Sequence, residues 1–118
     1  MKRKSQWNVI IWRVNGDEDF ATFVQKPDFA NIYPLIGCDM IEFHKGHDED
    51  HGTFEMHCDE EAKLSSKPVN HRATKAWYAW QMKTGHMSLP GDTINGDVAI
   101  LKKVYEPNET EQEVSSAA

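Results

Sequence analysis

The first 24 residues carry the hydrophobic pattern of a covered β-hairpin. A strand that is apolar on both alternating faces is typical of the interior of a sheet. Residues 7–14 have this pattern, with Trp7, Val9 and Ile11 on one face and Ile10, Trp12 and Val14 on the other. The Asn15-Gly16 dipeptide that follows favours a tight hairpin turn, and residues 20–24 predict the returning strand.

Residues 71–84 predict the one long helix. Asn70 precedes it as a suitable N-cap, and Gly85 follows it as a helix-ending residue. Apolar positions recur along it with helical spacing and predict the face that packs on a sheet: Ala73, Ala76, Trp77 and Trp80. Two of the four tryptophans belong to this helix and two to the first strand, so we expect the core to form between these elements.

A short helical turn and a closing strand complete the pattern. Asp28 is a suitable N-cap for the turn, Pro34 limits its length and Gly37 ends it. Residues 93–96 predict a turn before a final strand at 98–105.

The segment 39–58 predicts a second hairpin around a polar loop. Antiparallel pairing places buried residues opposite buried residues. This rule favours Phe43 opposite Met56 and Ile41 opposite Cys58. It also places Cys38 opposite Glu61 and away from the other cysteine, so we expect two free thiols and no disulfide.

The favoured register predicts a cluster of histidines and glutamates on the outer face of this hairpin. The alternative register, Phe43 opposite Phe54, opposes two glutamates and is disfavoured by their like charge. In the favoured register the candidate zinc ligands are Glu42, His44, Glu55 and His57. We expect them to form two exposed cross-strand pairs and to hold no metal.

These elements together predict a single α+β domain over residues 1–106. About five mostly antiparallel strands form the sheet, and helix 71–84 packs on it. A chain of 118 residues, 39% hydrophobic and 27% charged, is large enough for one modest core. Residues 107–118 are acidic and polar, and we expect a disordered tail.

Charge and hydropathy exclude several function classes. The net charge is −6, and no Lys/Arg cluster follows the basic residues at 2–4, which argues against nucleic-acid binding. No apolar run reaches the roughly 18 residues of a membrane-spanning helix. The apolar stretch near the start is too interrupted for a signal peptide, so we expect a cytoplasmic protein.

Sites for chemistry are few. The sequence has no phosphate-binding glycine loop, nucleophile elbow or zinc-protease helix, so we expect neither catalysis nor a cofactor. The helix start at Asn70 and Thr74 predicts a cap, although its donors are also a candidate anion site. With a nearby acidic turn, these residues form a candidate ligand-binding set: Asp59, Glu60, Asn70 and Thr74.

A second candidate surface lies on the solvent side of the long helix. Tyr78 and Met82 are four residues apart and fall near His71 and Lys75. Tyr and Met are enriched at protein interfaces. Simple tolerance of exposed apolar residues is the alternative. The partner-binding candidates are therefore Lys75, Tyr78 and Met82. We expect them to bind a host protein or a second copy of the chain.

Four segments in order resemble a known family. Residues 35–42, 58–64, 68–74 and 94–100 resemble domain of unknown function 3846, a family of small proteins of phages, plasmids and related mobile elements. The chain departs from the family pattern at Ala62, where glycine is usual, and in its longer loop at 47–52. The resemblance brings no catalytic residues.

This resemblance implies a mobile-element setting, often near genes that counter host defences. We therefore expect a non-catalytic, phage-type accessory protein that acts in the host cytoplasm by binding a host protein and countering host defence. The alternative is a small metal- or ligand-binding protein that uses the His/Glu face of the 39–58 hairpin or the helix start at Asn70.

Overall fold

The computed structural model describes residues 4–85 and 91–106, and the tail predicted at 107–118 lies outside them. Five strands form one antiparallel sheet in the order β2-β1-β5-β4-β3, with two helices. The α+β prediction is therefore confirmed. In chain order the elements are β1 Lys4–Trp12, β2 Glu18–Phe23, α1 Phe29–Ile36, β3 Ile41–Asp48, β4 Gly52–Asp59, α2 His71–Thr84 and β5 Val98–Glu106.

Strand β1 lies inside the sheet, as its two apolar faces predict. It pairs with β2 on one side and with β5 on the other. It ends at Trp12, two residues earlier than the alternation suggests, because the Val14 amide donates a 2.9 Å hydrogen bond to the side chain of Asp97, the residue before β5. The closing strand β5 pairs with β1 on one side and with β4 on the other, and so joins the two hairpins into one sheet.

Each face of the sheet carries its own core. The core under α2 contains Trp12 and Trp77 and is the larger one: Ile10, Trp12, Phe54, Met56, Cys58, Ala73, Ala76, Trp77, Ile94, Val98 and Ile100. The core under α1 is smaller: Val9, Ile11, Ile32, Ile36 and Ala99. Two of the predicted tryptophans therefore share a core, whereas Trp7 lies on the α1 face and Trp80 is only partly buried.

Helix α2 has the predicted bounds and the predicted packing face. The Asn70 Oδ1 atom accepts a hydrogen bond from the Ala73 amide at 3.1 Å, and Gly85 closes the helix in a left-handed conformation. The sequence pattern does not anticipate Gln81, a polar side chain that is almost completely buried on this face.

Helix α1 is longer than predicted. Asp28 and Asn31 form a reciprocal capping box, and Gly37 ends the helix at a φ of 65°. Pro34 lies inside the helix, so the expectation that it limits the length is wrong. The helix continues because Ile32 and Ile36, on either side of the proline, are buried against the sheet, while the proline removes one backbone hydrogen bond.

The predicted register of the β3–β4 hairpin is wrong by one residue. Phe43 lies opposite His57, not opposite Met56. The observed register places Gly46 directly opposite Phe54, and the Phe54 ring lies so close that a Cβ atom at Gly46 would come within 2.7 Å of it, so a residue without a side chain suits this pairing. A one-residue shift exchanges the faces of every β3 side chain relative to β4, and Phe43 therefore lies outside the core under α2 and is 47% exposed.

Candidate functional site

The four candidate metal ligands do not form one cluster. The observed register places Glu42 and His44 on the α2 face, and Glu55 and His57 on the α1 face. The predicted exposed cluster is therefore wrong. Each histidine instead lies near a glutamate of its own strand, at 3.1 Å for His44 and 3.8 Å for His57. No group of three or more His, Cys, Asp or Glu side chains within the described ranges is arranged to hold a metal ion.

The Glu55–His57 pair lies in a cavity of about 480 Å³ on the α1 face. On that face α1 packs on β1 and β5, with Ile41 of β3 against the same core, and the cavity lies beside this core between the start of α1 and residues of β1, β3, β4 and β5. Strand residues form its floor, and the start of α1 forms a wall. We call it the α1 pocket and define it by Trp7, Phe29, Ile32, Phe43, His57 and Leu101.

Aromatic contacts order the walls of the α1 pocket. The rings of Phe43 and His57 meet edge to face with centroids 4.8 Å apart, and Phe29 lies 5.9 Å from Phe43. The Lys26 ammonium lies 5.6 Å from the Trp7 ring centroid, within the range of a cation–π contact. Such contacts between rings stabilise defined orientations, so the pocket presents aromatic surfaces in a fixed arrangement.

His57 is the buried polar group of the pocket. Its residue exposure is 7%, and its Nδ1 atom has no hydrogen-bond partner among the described residues. Burial lowers the pKa of His57 below its ordinary value; the neighbouring Glu55 opposes that shift and Lys26 adds to it. The ring is therefore neutral at pH 7.

The tautomer of His57 follows from the same surroundings. An unpartnered lone pair at Nδ1 is less costly than an unpartnered N–H, which favours a proton on Nε2. The Glu55 Oε1 atom lies 3.8 Å from Nε2, too far for a hydrogen bond. The pocket thus contains a donor and an acceptor side by side that do not satisfy each other.

Asn70 and Thr74 are occupied in holding the fold. The Asn70 Nδ2 atom donates to the carbonyl oxygens of Trp12 and Gly96 at 2.9 and 3.0 Å, in addition to the cap. The Thr74 hydroxyl accepts from the Ile94 amide and donates to the Ile94 carbonyl. The predicted cap is confirmed. Ligand binding by these two side chains stays a prediction, which their existing hydrogen bonds do not favour.

Asp59 and Glu60 lie in different environments, although the sequence places both in a solvated turn. Asp59 is buried, and its carboxylate contacts the Lys67 ammonium at 2.6 Å and the Glu61 amide at 2.9 Å. Glu60 is exposed. Both line a polar cleft of about 300 Å³ on the α2 face. A solvated turn is therefore wrong for Asp59, which forms an internal ion pair.

The predicted partner-binding residues share one surface. Lys75, Tyr78 and Met82 line a groove of about 550 Å³ beside His71, which we call the α2 groove. Met82 is 75% exposed. Tyr78 is partly buried, because its ring stacks on Trp77 and its hydroxyl donates to the Asp92 carbonyl. Tyr78 is therefore partly a structural residue, which the helical wheel does not reveal.

Both cysteines are free, as predicted. Cys38 packs against the core under α1 and Cys58 belongs to the core under α2; neither pairs as the predicted register requires. Burial raises the pKa of both thiols. Since the thiolate is the reactive form, the raised pKa of each thiol disfavours that form.

Sequence reasoning missed the α1 pocket. The wrong register assigned Phe43 to the core, and the short helix was not placed relative to the sheet. Phe29 and Phe43 mark the pocket because both are about half exposed, and this exposure is visible only in the folded structure.

Comparison with protein-family models, curated proteins and solved structures finds no match to any of them. The resemblance to domain of unknown function 3846 therefore stays a prediction. Among the helices of the described residues, none has the length and apolar character needed to cross a membrane.

Proposed function

We propose that this chain is a non-catalytic binding protein and that the α1 pocket accepts a flat aromatic ring of its ligand. The observation that carries the proposal is the pocket itself, in which Trp7, Phe29 and Phe43 line the same cavity as the buried His57, and the Phe43 ring packs edge to face on the His57 ring. Small-molecule sites are typically apolar and aromatic clefts of roughly 300–1,000 Å³ with a few polar groups that fix orientation. The cavity of about 480 Å³ fits that description.

This proposal takes up the ligand-binding alternative suggested by the 39–58 hairpin. Only the Glu55–His57 half of the predicted His/Glu face takes part, and the aromatic side chains supply the contact area. A ring that stacks on Phe43 would cover apolar surface that is half exposed in the free protein. No metal and no cofactor are needed for this role.

Ring binding is tested with indole, a flat probe that fluorescence and NMR titrations detect. Removing one stacking side chain should weaken binding by roughly 5- to 150-fold, the range of about 1–3 kcal/mol per stacked ring. Phe43→Ala should show this loss. Phe20→Ala is the matched control, because Phe20 is an exposed phenylalanine on β2 outside the pocket. Equal affinities in the two variants would contradict the proposal.

A second candidate function is protein binding through the α2 groove. The observation that favours it is the exposed Met82 beside a tyrosine that is already held in place by Trp77 and Asp92. A rigid aromatic with a flexible apolar neighbour suits an interface. With the resemblance described above, it supports a phage-type accessory protein that binds a host protein in the cytoplasm and counters host defence.

This second candidate is tested by self-association and by recovery of partners from the producing host. Met82→Ser should lower both if the groove is an interface. Leu64→Ser is the matched control, since Leu64 is an equally exposed apolar side chain outside the α2 groove. Unchanged size and unchanged partners in Met82→Ser would exclude this surface.

A further inference from the structure

The polar edge of the α1 pocket restricts the chemistry of the ring that binds there. The His57 Nε2 atom carries a proton in the favoured tautomer and is a donor, and the Glu55 carboxylate is an acceptor. These atoms are 3.8 Å apart, and each lacks the other as a hydrogen-bond partner. A ligand that offers an acceptor and a donor on adjacent ring positions would satisfy both at once.

The aromatic walls require the same ligand to be flat. Phe29, Phe43 and Trp7 all line the cavity, and the rings of Phe29 and Phe43 have their centroids 5.9 Å apart. Stacking on aromatic side chains tolerates any planar π-system, and hydrogen bonds at the ring edge then select among them. A hydrocarbon ring would leave the His57 donor without a partner, which is costly for a buried group.

The carboxylates at the rim disfavour an anion, and the Lys26 ammonium competes with a cationic ligand for the Trp7 ring. The Lys26 ammonium already lies over the Trp7 ring, where a cationic ligand would otherwise stack. Asp28 and Glu55 are the carboxylates of the lining, and the whole chain has a net charge of −6. A phosphate group would be repelled by these charges, so the ligand that fits is uncharged.

We infer that the α1 pocket binds an uncharged nucleobase, as the free base or nucleoside, with Glu55 accepting a ring-edge N–H and His57 Nε2 donating to the neighbouring acceptor. This inference rests on the proposed ring-binding function and deepens it. Each of the four common bases has an edge with an adjacent donor and acceptor. Glu55 and His57 select nucleobases from other flat rings, and Phe43 supplies the affinity that all of them share.

The test is calorimetric titration of the full chain with adenosine, guanosine, cytidine and uridine, with indole as the flat probe that lacks an adjacent acceptor. At least one nucleoside should bind about 10-fold more tightly than indole, since one good hydrogen bond contributes about 1 kcal/mol and one to a charged group more. The 5′-monophosphate of that nucleoside should bind no better than the nucleoside. Methylguanidinium, a flat cation, should bind more weakly.

Two variants assign the selectivity to its residues. Glu55→Ala and His57→Phe should each reduce the preference for the nucleoside over indole to about twofold or less. Glu42→Ala is the control, because Glu42 is an equally exposed glutamate of the same hairpin on the opposite face. Glu55 is more than half exposed, so its variant should fold.

The outcomes separate the two proposals. Indole binding that depends on Phe43, without any nucleoside preference, would overturn the nucleobase inference and leave the ring-binding function in place. A preference that survives Glu55→Ala, or tighter binding of methylguanidinium or of the monophosphate, would also overturn it. Absence of binding by every ring would overturn both proposals.

Discussion

The two faces of the sheet are covered to different extents, and this difference defines the molecule. On the α2 face a 14-residue helix covers the sheet and joins Trp12 and Trp77 in one core. On the α1 face an eight-residue helix covers β1 and β5, and the aromatic side chains next to it stay accessible. The α2 face therefore stabilises the fold, whereas the α1 face, which its helix covers less completely, forms the pocket.

The largest difference between the faces should appear when one aromatic side chain is removed from each. Trp77→Ala should lower the free energy of unfolding by about 3–5 kcal/mol, because Trp77 is buried in the main core. Phe43→Ala should lower it by about 1 kcal/mol or less, since that side chain is half exposed. Urea denaturation measures both. Equal losses would mean that the α1 face is part of the stabilising core.

Removing the N-cap of α2 should destabilise the fold more than removing the N-cap of α1. Asn70→Ala should cost about 2–3 kcal/mol, because it removes the α2 cap and leaves the buried carbonyls of Trp12 and Gly96 without their donor. Asp28→Ala removes the exposed α1 cap and should cost about 1 kcal/mol. Thermal and urea unfolding of the matched pair measure the difference. A larger loss for Asp28→Ala would reverse the assignment of the two faces.

One substitution tests the register of the β3–β4 hairpin. Gly46→Ala should destabilise the fold by about 1–3 kcal/mol, because its Cβ would press on the Phe54 ring. Gly16→Ala, at a turn glycine with a positive φ but open space around it, is the control for backbone strain alone. An unaffected Phe54 NMR signal in Gly46→Ala would contradict the observed register.

The smallest effect concerns the pH dependence of stability. In the unfolded chain a histidine titrates near pH 6.5, and burial lowers the pKa of His57 in the folded chain. Below pH 6.5 the unfolded chain therefore binds a proton at this histidine more readily than the folded chain does. The stability linked to His57 is fully present above pH 6.5 and is lost as the pH falls towards the folded pKa. On the α1 face, Glu55 opposes this shift and Lys26 reinforces it.

The measurement is the free energy of unfolding of the natural chain and of His57→Phe at about pH 7.5, 6.5 and 5.5. The natural chain should lose stability more steeply than the variant on the acidic side. Parallel profiles would show that His57 is not buried as a neutral ring.

The sequence predicts the α2 face better than the α1 face, for a physical reason. Helix α2 and strand β1 have complete periodic patterns, so their bounds, the Asn70 cap and the buried Trp77 follow from local rules. Strand β3 is an edge strand whose apolar residues Ile41 and Phe43 suggest the wrong buried face. The contact that fixes its register, Gly46 against Phe54, joins two strands and leaves no mark in a periodic pattern.

The candidate site depends on the same non-local features. The pocket forms where the β3–β4 register places Phe43 opposite His57 on the α1 face, next to the start of α1. The pair Glu55 and His57 is visible in the sequence as candidate ligands, but their aromatic neighbours come from three other elements. The sequence predicts exposed cross-strand pairs of histidine and glutamate without a metal, and the tertiary packing places Glu55 and His57 in an aromatic pocket instead.

Ligand binding in the α1 pocket is tested most directly by NMR chemical-shift mapping of the uniformly labelled chain during titration with the tightest-binding nucleoside. We expect the largest shifts to cluster on the α1 face, at Trp7, Phe29, Phe43 and His57, together with contacts between the ligand ring and the Phe43 ring. Shifts centred on Tyr78 and Met82 in the α2 groove, or no saturable shifts at all, would contradict it.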